Sequence, residues 1–500
     1  MRRRALTLAP LWAVLLLLAA PVLAFAQDEP TTLESLAGDV GSLTTALDSV
    51  WVAVAASFVL LMQAGFGLLE VGLSRMKNAG AVMAKILINV SIAMLMFWAT
   101  GFALGFGNGN DFWGTAGFFF GSDGPPSSAE YTYSTLTASI SSLFFFQVVF
   151  CAVSLAIVFG SMLDRTKFIG YAIFGVAYAG FIYPIVAHWT WGGGWLFKDG
   201  FLDYAGSSIV HLQGALGALV GALILGPRIG KFRNGRPIPI PGHSIPLAIT
   251  GVIILWFGWM GFNGGSSLLA TGVDFADVLV NTNLAAGAGV LGATIMSLLL
   301  FRTLDVSQMG NGAIGGLVAI TAPCAFVDYW AGVVIGLVAG LLIPLVVVGV
   351  EKMKIDDPLG ALAAHGVSGI WGTLAIGLFG TATRMDPVIV DVVGLGSREG
   401  LVYGGGIEQL WVQFYGIAAT VGFTGLLCAA VFLAIRMTVG LRVDEEDELS
   451  GLDISEHGMF GYPEQFIEVP GAMPETARHT LVGGPSGPDP GTVTTPATAR

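Results

Sequence analysis

Charge is scarce in this chain. Asp, Glu, Lys and Arg make up 11% of its 500 residues, against about 25% in soluble domains, which argues against an ordinary water-soluble enzyme. There are three cysteines, Cys151, Cys324 and Cys428, each inside an apolar run, so no disulfide framework is implied. No nucleotide-binding motif, cofactor box or nucleophile beside a base is present, which points away from hydrolases and oxidoreductases; no cofactor is expected. The net charge of −12 argues against a nucleic-acid partner. What the chain has instead is apolar length: 54% of residues are hydrophobic, and glycine numbers 71. Small residues let apolar helices approach closely in a bilayer, where no hydrophobic drive brings them together. The composition is that of an all-α polytopic membrane protein.

Arg2, Arg3 and Arg4 precede an apolar run to Leu23, and Ala24-Phe25-Ala26 offers a small-x-small cleavage site, so residues 1–26 read as a signal peptide. Residues 27–48 then form an extracytoplasmic segment. Apolar stretches of spanning length follow at 49–73, 79–107, 136–163, 167–190, 205–227, 245–269, 279–301, 311–328, 330–351, 360–380 and 407–437. Eleven spans put the two ends of the 49–437 domain on opposite sides. Alternate loops hold most of the basic residues, among them Arg75, Lys77, Arg165, Lys167, Arg228, Lys231, Lys352 and Lys354. Basic loops face the cytoplasm, so the N-terminus is expected outside and the C-terminus inside, in the cell (inner) membrane. Residues 438–462 make a cytoplasmic tail. Residues 463–500, rich in Pro, Gly and Thr, read as a disordered extension.

An internal repeat is visible. Asp203-Tyr204-Ala205-Gly206 is followed by His211, and Asp357-Pro358-Leu359-Gly360 by His365. Both read D-x-x-G-x-x-x-x-H and open the fifth and tenth spans. An odd number of helices per repeat inverts the second copy, giving two inverted five-helix repeats plus a final helix, a frequent transporter plan. The spacing carries each histidine about 12 Å into its span, from opposite ends, so both imidazoles should reach the bundle interior at similar depth. Ionisable groups in a bilayer are functional candidates. Two adjacent imidazoles can share one hydrogen and stay neutral, offering a donor or acceptor to a small polar solute and a proton relay. A pair of structural histidines is the bland alternative. A metal site fits poorly, because no Cys, Glu or third His accompanies them in those spans.

Aromatic residues gather near the outer ends: Trp189, Trp191 and Trp195 around a Gly-rich turn, Phe146 and Phe150 at i and i+4, and Trp259, Phe262 and Ser266 on one helical face. Singly, such residues are more often belt or core. A hydroxyl beside ring faces suits a small, hydrogen-bonding cation.

These residues resemble the ammonium transporters of the Amt/MEP/Rh superfamily, in the bacterial Amt branch. The resemblance covers about residues 50–462. It is carried by Met62-Gln63-Ala64-Gly65-Phe66 with Glu70, Arg75, Lys77 and Asn78; by Phe146-Gln147 with Phe150; by Trp191-Gly192-Gly193-Gly194; by Asp203 through His211; by Gly261-Phe262-Asn263 with Ser266; by Asn281-Thr282-Asn283; and by Asp356-Asp357-Pro358 with His365-Gly366. It implies a homotrimer with one pore per subunit and no enzymatic activity, the solutes being ammonium, ammonia and methylammonium. It implies an outer recruitment site at Phe150, Trp191 and Ser266, a gate of Phe150 and Phe262, twin histidines His211 and His365 in the pore, and Trp259 in its wall. Asp203, and by the repeat Asp357, order the vestibules. Cys151, Val153 and Asp164 depart from the family pattern. The segment from Gly440 to Tyr462 resembles the family's regulatory tail, which implies a PII-type signal protein at the inner face; a solvated acidic tail is the alternative.

A dry aromatic pore imposes a large desolvation cost on a bare cation and little on neutral ammonia. The expected mechanism is therefore recruitment of ammonium, deprotonation near the gate, and passage of ammonia beside the histidines. Potassium has no proton to lose. The sequence leaves open whether the proton also crosses, and an electroneutral ammonia channel of Rh type or an ammonium sensor are the alternative readings.

Overall fold

The computed structural model describes residues 33–463 except 125, 134–135, 272–273 and 386–397. The expected signal peptide lies outside the described residues, as does nearly all of the C-terminal extension. Helices dominate, with one two-stranded hairpin, Phe232–Arg233 against Arg236–Pro237, among the described residues. Ten helices there are long and apolar enough to cross a membrane, from Ser35–Leu73 to Glu408–Thr438. The chain is a multi-pass membrane protein.

The segment expected at 311–328 differs from the others. It forms Val306–Thr321, 16 residues, about 24 Å at 1.5 Å per residue. Its ends explain the shift. Asp305 caps the start, its Oδ1 accepting from the Ser307 and Gln308 amides at 2.9 and 3.3 Å. At the other end the Ala322 amide donates to the Ser207 hydroxyl at 2.6 Å, and Pro323 has no amide with which to continue. Nearly every residue of this helix is buried by protein. The first helix is long instead: Leu33–Leu73 has 41 residues, about 60 Å, or twice a bilayer core.

Glycine sets the packing distance between helices. A Cβ at Gly336 or Gly340 would lie 2.1 Å from the carbonyl oxygen of Ala285 or Gly289. The Tyr329–Lys352 and Phe275–Phe301 helices therefore touch backbone to backbone.

Candidate functional site

The two copies of the repeat fold alike. In the first, Asp203 accepts four backbone amides: Gly206 and Ser207 at Oδ1 (2.7 and 2.9 Å), Ser208 and Ile209 at Oδ2 (2.7 and 3.2 Å). These are the open donors at a helix start, where a carboxylate is the favoured cap. In the second, Asp357 accepts from the Ala361 and Leu362 amides and from the Ser161 hydroxyl, at 3.1, 2.9 and 2.9 Å. Burial pushes the Asp203 carboxyl up to about 6 against the pull of its four amides. Each turn needs a left-handed residue, and Gly206 (φ 112°) and Gly360 (φ 72°) supply it. Each then enters a π-helical turn, Ser207–Leu212 and Leu362–Val367, that contains the histidine. Such wide turns are frequent at functional sites.

His211 and His365 meet. Their Nδ1 atoms are 3.2 Å apart, and the rings are nearly parallel at 5.2 Å between centroids. With one Nδ1 on each side of the contact, one ring donates and the other accepts, which fixes both tautomers. Both side chains are buried, and the His211 Nε2 has no hydrogen-bond partner among the described residues.

Aromatic rings close one side of the pair. Phe262 and Trp259 each lie 5.3 Å from His211. Phe150 stacks on Phe262 at 4.0 Å, and both are buried, so the two residues expected as a gate lie face to face beside the histidines. Trp191 stands edge-on to Phe150 at 6.1 Å; its Nε1 donates to the Asp203 carbonyl at 2.7 Å, so the first repeat's own turn holds this indole. The Trp259 Nε1 donates to the Thr321 hydroxyl at 2.9 Å. Ser266, half-buried at the end of the Ile245–Gly265 helix, donates to the Phe262 carbonyl at 2.8 Å. Its oxygen keeps lone pairs for a further donor. Eight of the nine residues singled out from the sequence fall in one connected region; the ninth, Asp357, caps the start of the turn that leads to His365.

Other polar groups had no role assigned from sequence. Gln63, Phe66 and Glu70 share a face of the first helix, at i, i+3 and i+7, and Lys85 is buried nearby with its Nζ 2.9 Å from the Thr166 carbonyl. Two ionisable residues inside expected spans were the available signal. At the same end, Asp164, Arg165, Arg228 and Asp356 form a buried network. Arg228 bonds Asp356 through Nε (2.8 Å) and Nη2 (2.9 Å) and Asp164 through Nη1 (3.0 Å). Burial alone would raise the Asp356 carboxyl, but Arg228 and Arg165 outweigh it and hold Asp356 at about 2. The tail docks on this base. Asp453 accepts from the Gly80 and Ala81 amides at 3.0 and 2.8 Å, and Glu456 from the Phe168 amide at 2.8 Å. Arg442 pairs with Glu448 at 2.7 Å.

A helical membrane protein that buries two facing imidazoles under a stacked aromatic seal has the build of a channel or carrier for a small solute. The chain belongs to the Ammonium Transporter Family, whose profile spans residues 50–462. It is 40% identical over 437 residues to ammonium transporter Amt2 of Archaeoglobus fulgidus, covering 83% of this chain and 88% of the relative. It is 37% identical over 428 residues to the putative ammonium transporter sll0537 of Synechocystis, covering 83% and 74%. Among solved structures, the Sensor Amt Protein superposes with a TM-score of 0.75 at 34% identity, covering 83% of this chain and 99% of the other. Mep2 of Saccharomyces cerevisiae gives 0.73 at 31%, covering 80% and 88%. The family is one of transporters rather than enzymes.

Proposed function

We propose that this chain binds ammonium at an outer site made by Ser266, Trp191 and Phe150, removes a proton there, and conducts ammonia past Phe262 and Trp259 along His211 and His365. The single observation that carries this reading is the 3.2 Å contact between two buried imidazole Nδ1 atoms beneath the Phe150–Phe262 stack. Ring faces attract a cation by about 0.5–2 kcal/mol, and the Ser266 oxygen accepts an N–H that potassium lacks. Losing one proton leaves a neutral molecule that can slip between the phenylalanines. Both Asp203 oxygens are taken by backbone amides, so this residue holds the turn and is not the base. The ammonium N–H bond is proposed to break with transfer of its proton to the open His211 Nε2, from which the histidine pair hands it on.

In this reading Val306–Thr321, cushioned by protein on nearly all sides, is the eighth of eleven crossings, the N-terminus is outside, and residues 438–462 are a cytoplasmic regulatory segment. Its docking through Asp453, Glu456 and Glu448 gives a PII-type signal protein a handle on the inner face. A homotrimer is proposed as well. Leu36, Val40, Leu43, Leu47 and Val50 are all exposed and recur at spacings of four and three, the seam of a coiled coil. Copies in one membrane present this helix parallel and level, as such a seam requires.

The test is ammonium uptake by a strain lacking its own ammonium carriers, with current recorded from the purified protein in liposomes and potassium as control. Ammonium-evoked current without potassium current supports the reading. Ammonia flux with no charge movement favours an electroneutral channel, and binding without flux favours a sensor.

A further inference from the structure

On the side of His365 away from the aromatic seal lies a cavity with room for a molecule the size of water. It is lined by Phe66, Glu70, Asn311, Leu359 and Ala364 together with His365. Glu70 is fully buried, and among the described residues neither of its carboxyl oxygens has a hydrogen-bond partner. A carboxyl buried for structural reasons is normally satisfied, because leaving it open costs about 1–3 kcal/mol or more.

Lys85, Tyr171, Asn89 and Asn311 are engaged elsewhere. Lys85 donates to the Thr166 carbonyl and sits 4.6 Å over the Phe159 ring, and no ion pair joins it to Glu70 among the described residues. The Tyr171 hydroxyl donates to Asn89 Oδ1 at 2.6 Å. The Asn89 amide in turn serves Gln63 Oε1 and the Ala152 carbonyl, at 3.0 and 2.9 Å. The Asn311 amide donates to the Leu359 carbonyl at 2.9 Å. Phe66, whose ring lies 6.5 Å from that of His365, stands one helical turn before Glu70. The cavity therefore joins an imidazole to a carboxyl that has no hydrogen-bond partner among the described residues.

We propose that Glu70 is the inner proton station of the conduit, an inference that rests on the transport reading above. The carboxylic acid meets ammonia leaving His365; its O–H bond breaks and a fourth N–H bond forms, giving ammonium and the Glu70 carboxylate. A proton passed along the histidine pair restores the acid. The buried Lys85 ammonium stabilises the carboxylate between turnovers without binding it. Ammonium, once charged, is released toward the inner side and does not return through the aromatic stack.

The experiment compares wild type, Glu70→Gln and Glu70→Asp in liposomes. It records the current evoked by an ammonium pulse and, in the same vesicles, ammonia entry from the total ammonia plus ammonium taken up. Glutamine fills the same space but has no proton to give. Its current is expected to fall about tenfold or more, with ammonia entry held within about twofold. Wild-type current in Glu70→Gln overturns the proposal and makes Glu70 a packing residue. Should that variant not fold, Glu70→Asp, one methylene short of the cavity, is expected to lose current severalfold with ammonia entry kept; unchanged current there overturns the proposal equally. A wild-type protein that carries no ammonium-evoked current defeats the coupled-proton reading itself, which is a different outcome from a silent Glu70 substitution.

Discussion

The two halves of the molecule build the same turn and surround it differently. Asp203 and Asp357 both cap helix starts, Gly206 and Gly360 both take positive φ, and His211 and His365 both ride on π-helical turns. The neighbours then diverge. His211 is covered by Phe262 and Trp259, whereas His365 opens on the cavity that holds Glu70. The repeat thus supplies symmetric ring placement, and the helices packed around it supply direction. In the proposed mechanism one end rejects bare charge and the other offers a group that can return it.

The largest test of that comparison is to remove each imidazole. His211→Ala and His365→Ala are each expected to cut ammonium-evoked current about a hundredfold, the scale of a lost proton-transfer group, as measured in liposomes. A variant that keeps full current would show that one half of the pair is dispensable. Next is the seal. Phe262→Ala removes a ring stacked at 4.0 Å on Phe150 and is expected to destabilise by about 3 kcal/mol, seen as a lowered thermal midpoint in detergent. It is also expected to admit potassium, which the wild type is expected to exclude.

The caps give a smaller contrast. Asp203→Ala frees four amides and Asp357→Ala two. The expected losses are about 2 and about 1 kcal/mol, and equal losses would break the distinction. Last comes pH at the charged base. Asp356 is held at about 2, below its ordinary 3.8, so its contribution to stability is complete above about 4 and lost as pH falls toward 2. Thermal midpoints followed from pH 5 downward should drop over that window in wild type, and Asp356→Asn should flatten the slope.

Much of this was legible in the chain because the residues involved are chemically rare where they stand. A histidine inside a span, a glycine fixed three residues after an aspartate, and tryptophans around a glycine run need no partner to be noticed. The pairing of Phe150 with Phe262 was readable through family likeness alone. The ends of Val306–Thr321 were not, since they depend on Asp305 as a cap and on Ser207 reaching Ala322 from another part of the chain. The base network was invisible for the same reason: Asp164, Arg228 and Asp356 are far apart in sequence, and loop charges read only as topology signals. Glu70 was seen as a family mark and given no role, because its lack of a partner is a fact of three dimensions.

The central claim is that ammonia and a proton travel together along two facing imidazoles behind an aromatic seal. Current recorded from purified protein in liposomes, pulsed first with ammonium and then with potassium, tests it most directly when wild type is set beside His211→Ala and His365→Ala. The account predicts a wild-type response to ammonium alone and its loss in both variants. Ammonium current of wild-type size in the two variants, still with none for potassium, would contradict it.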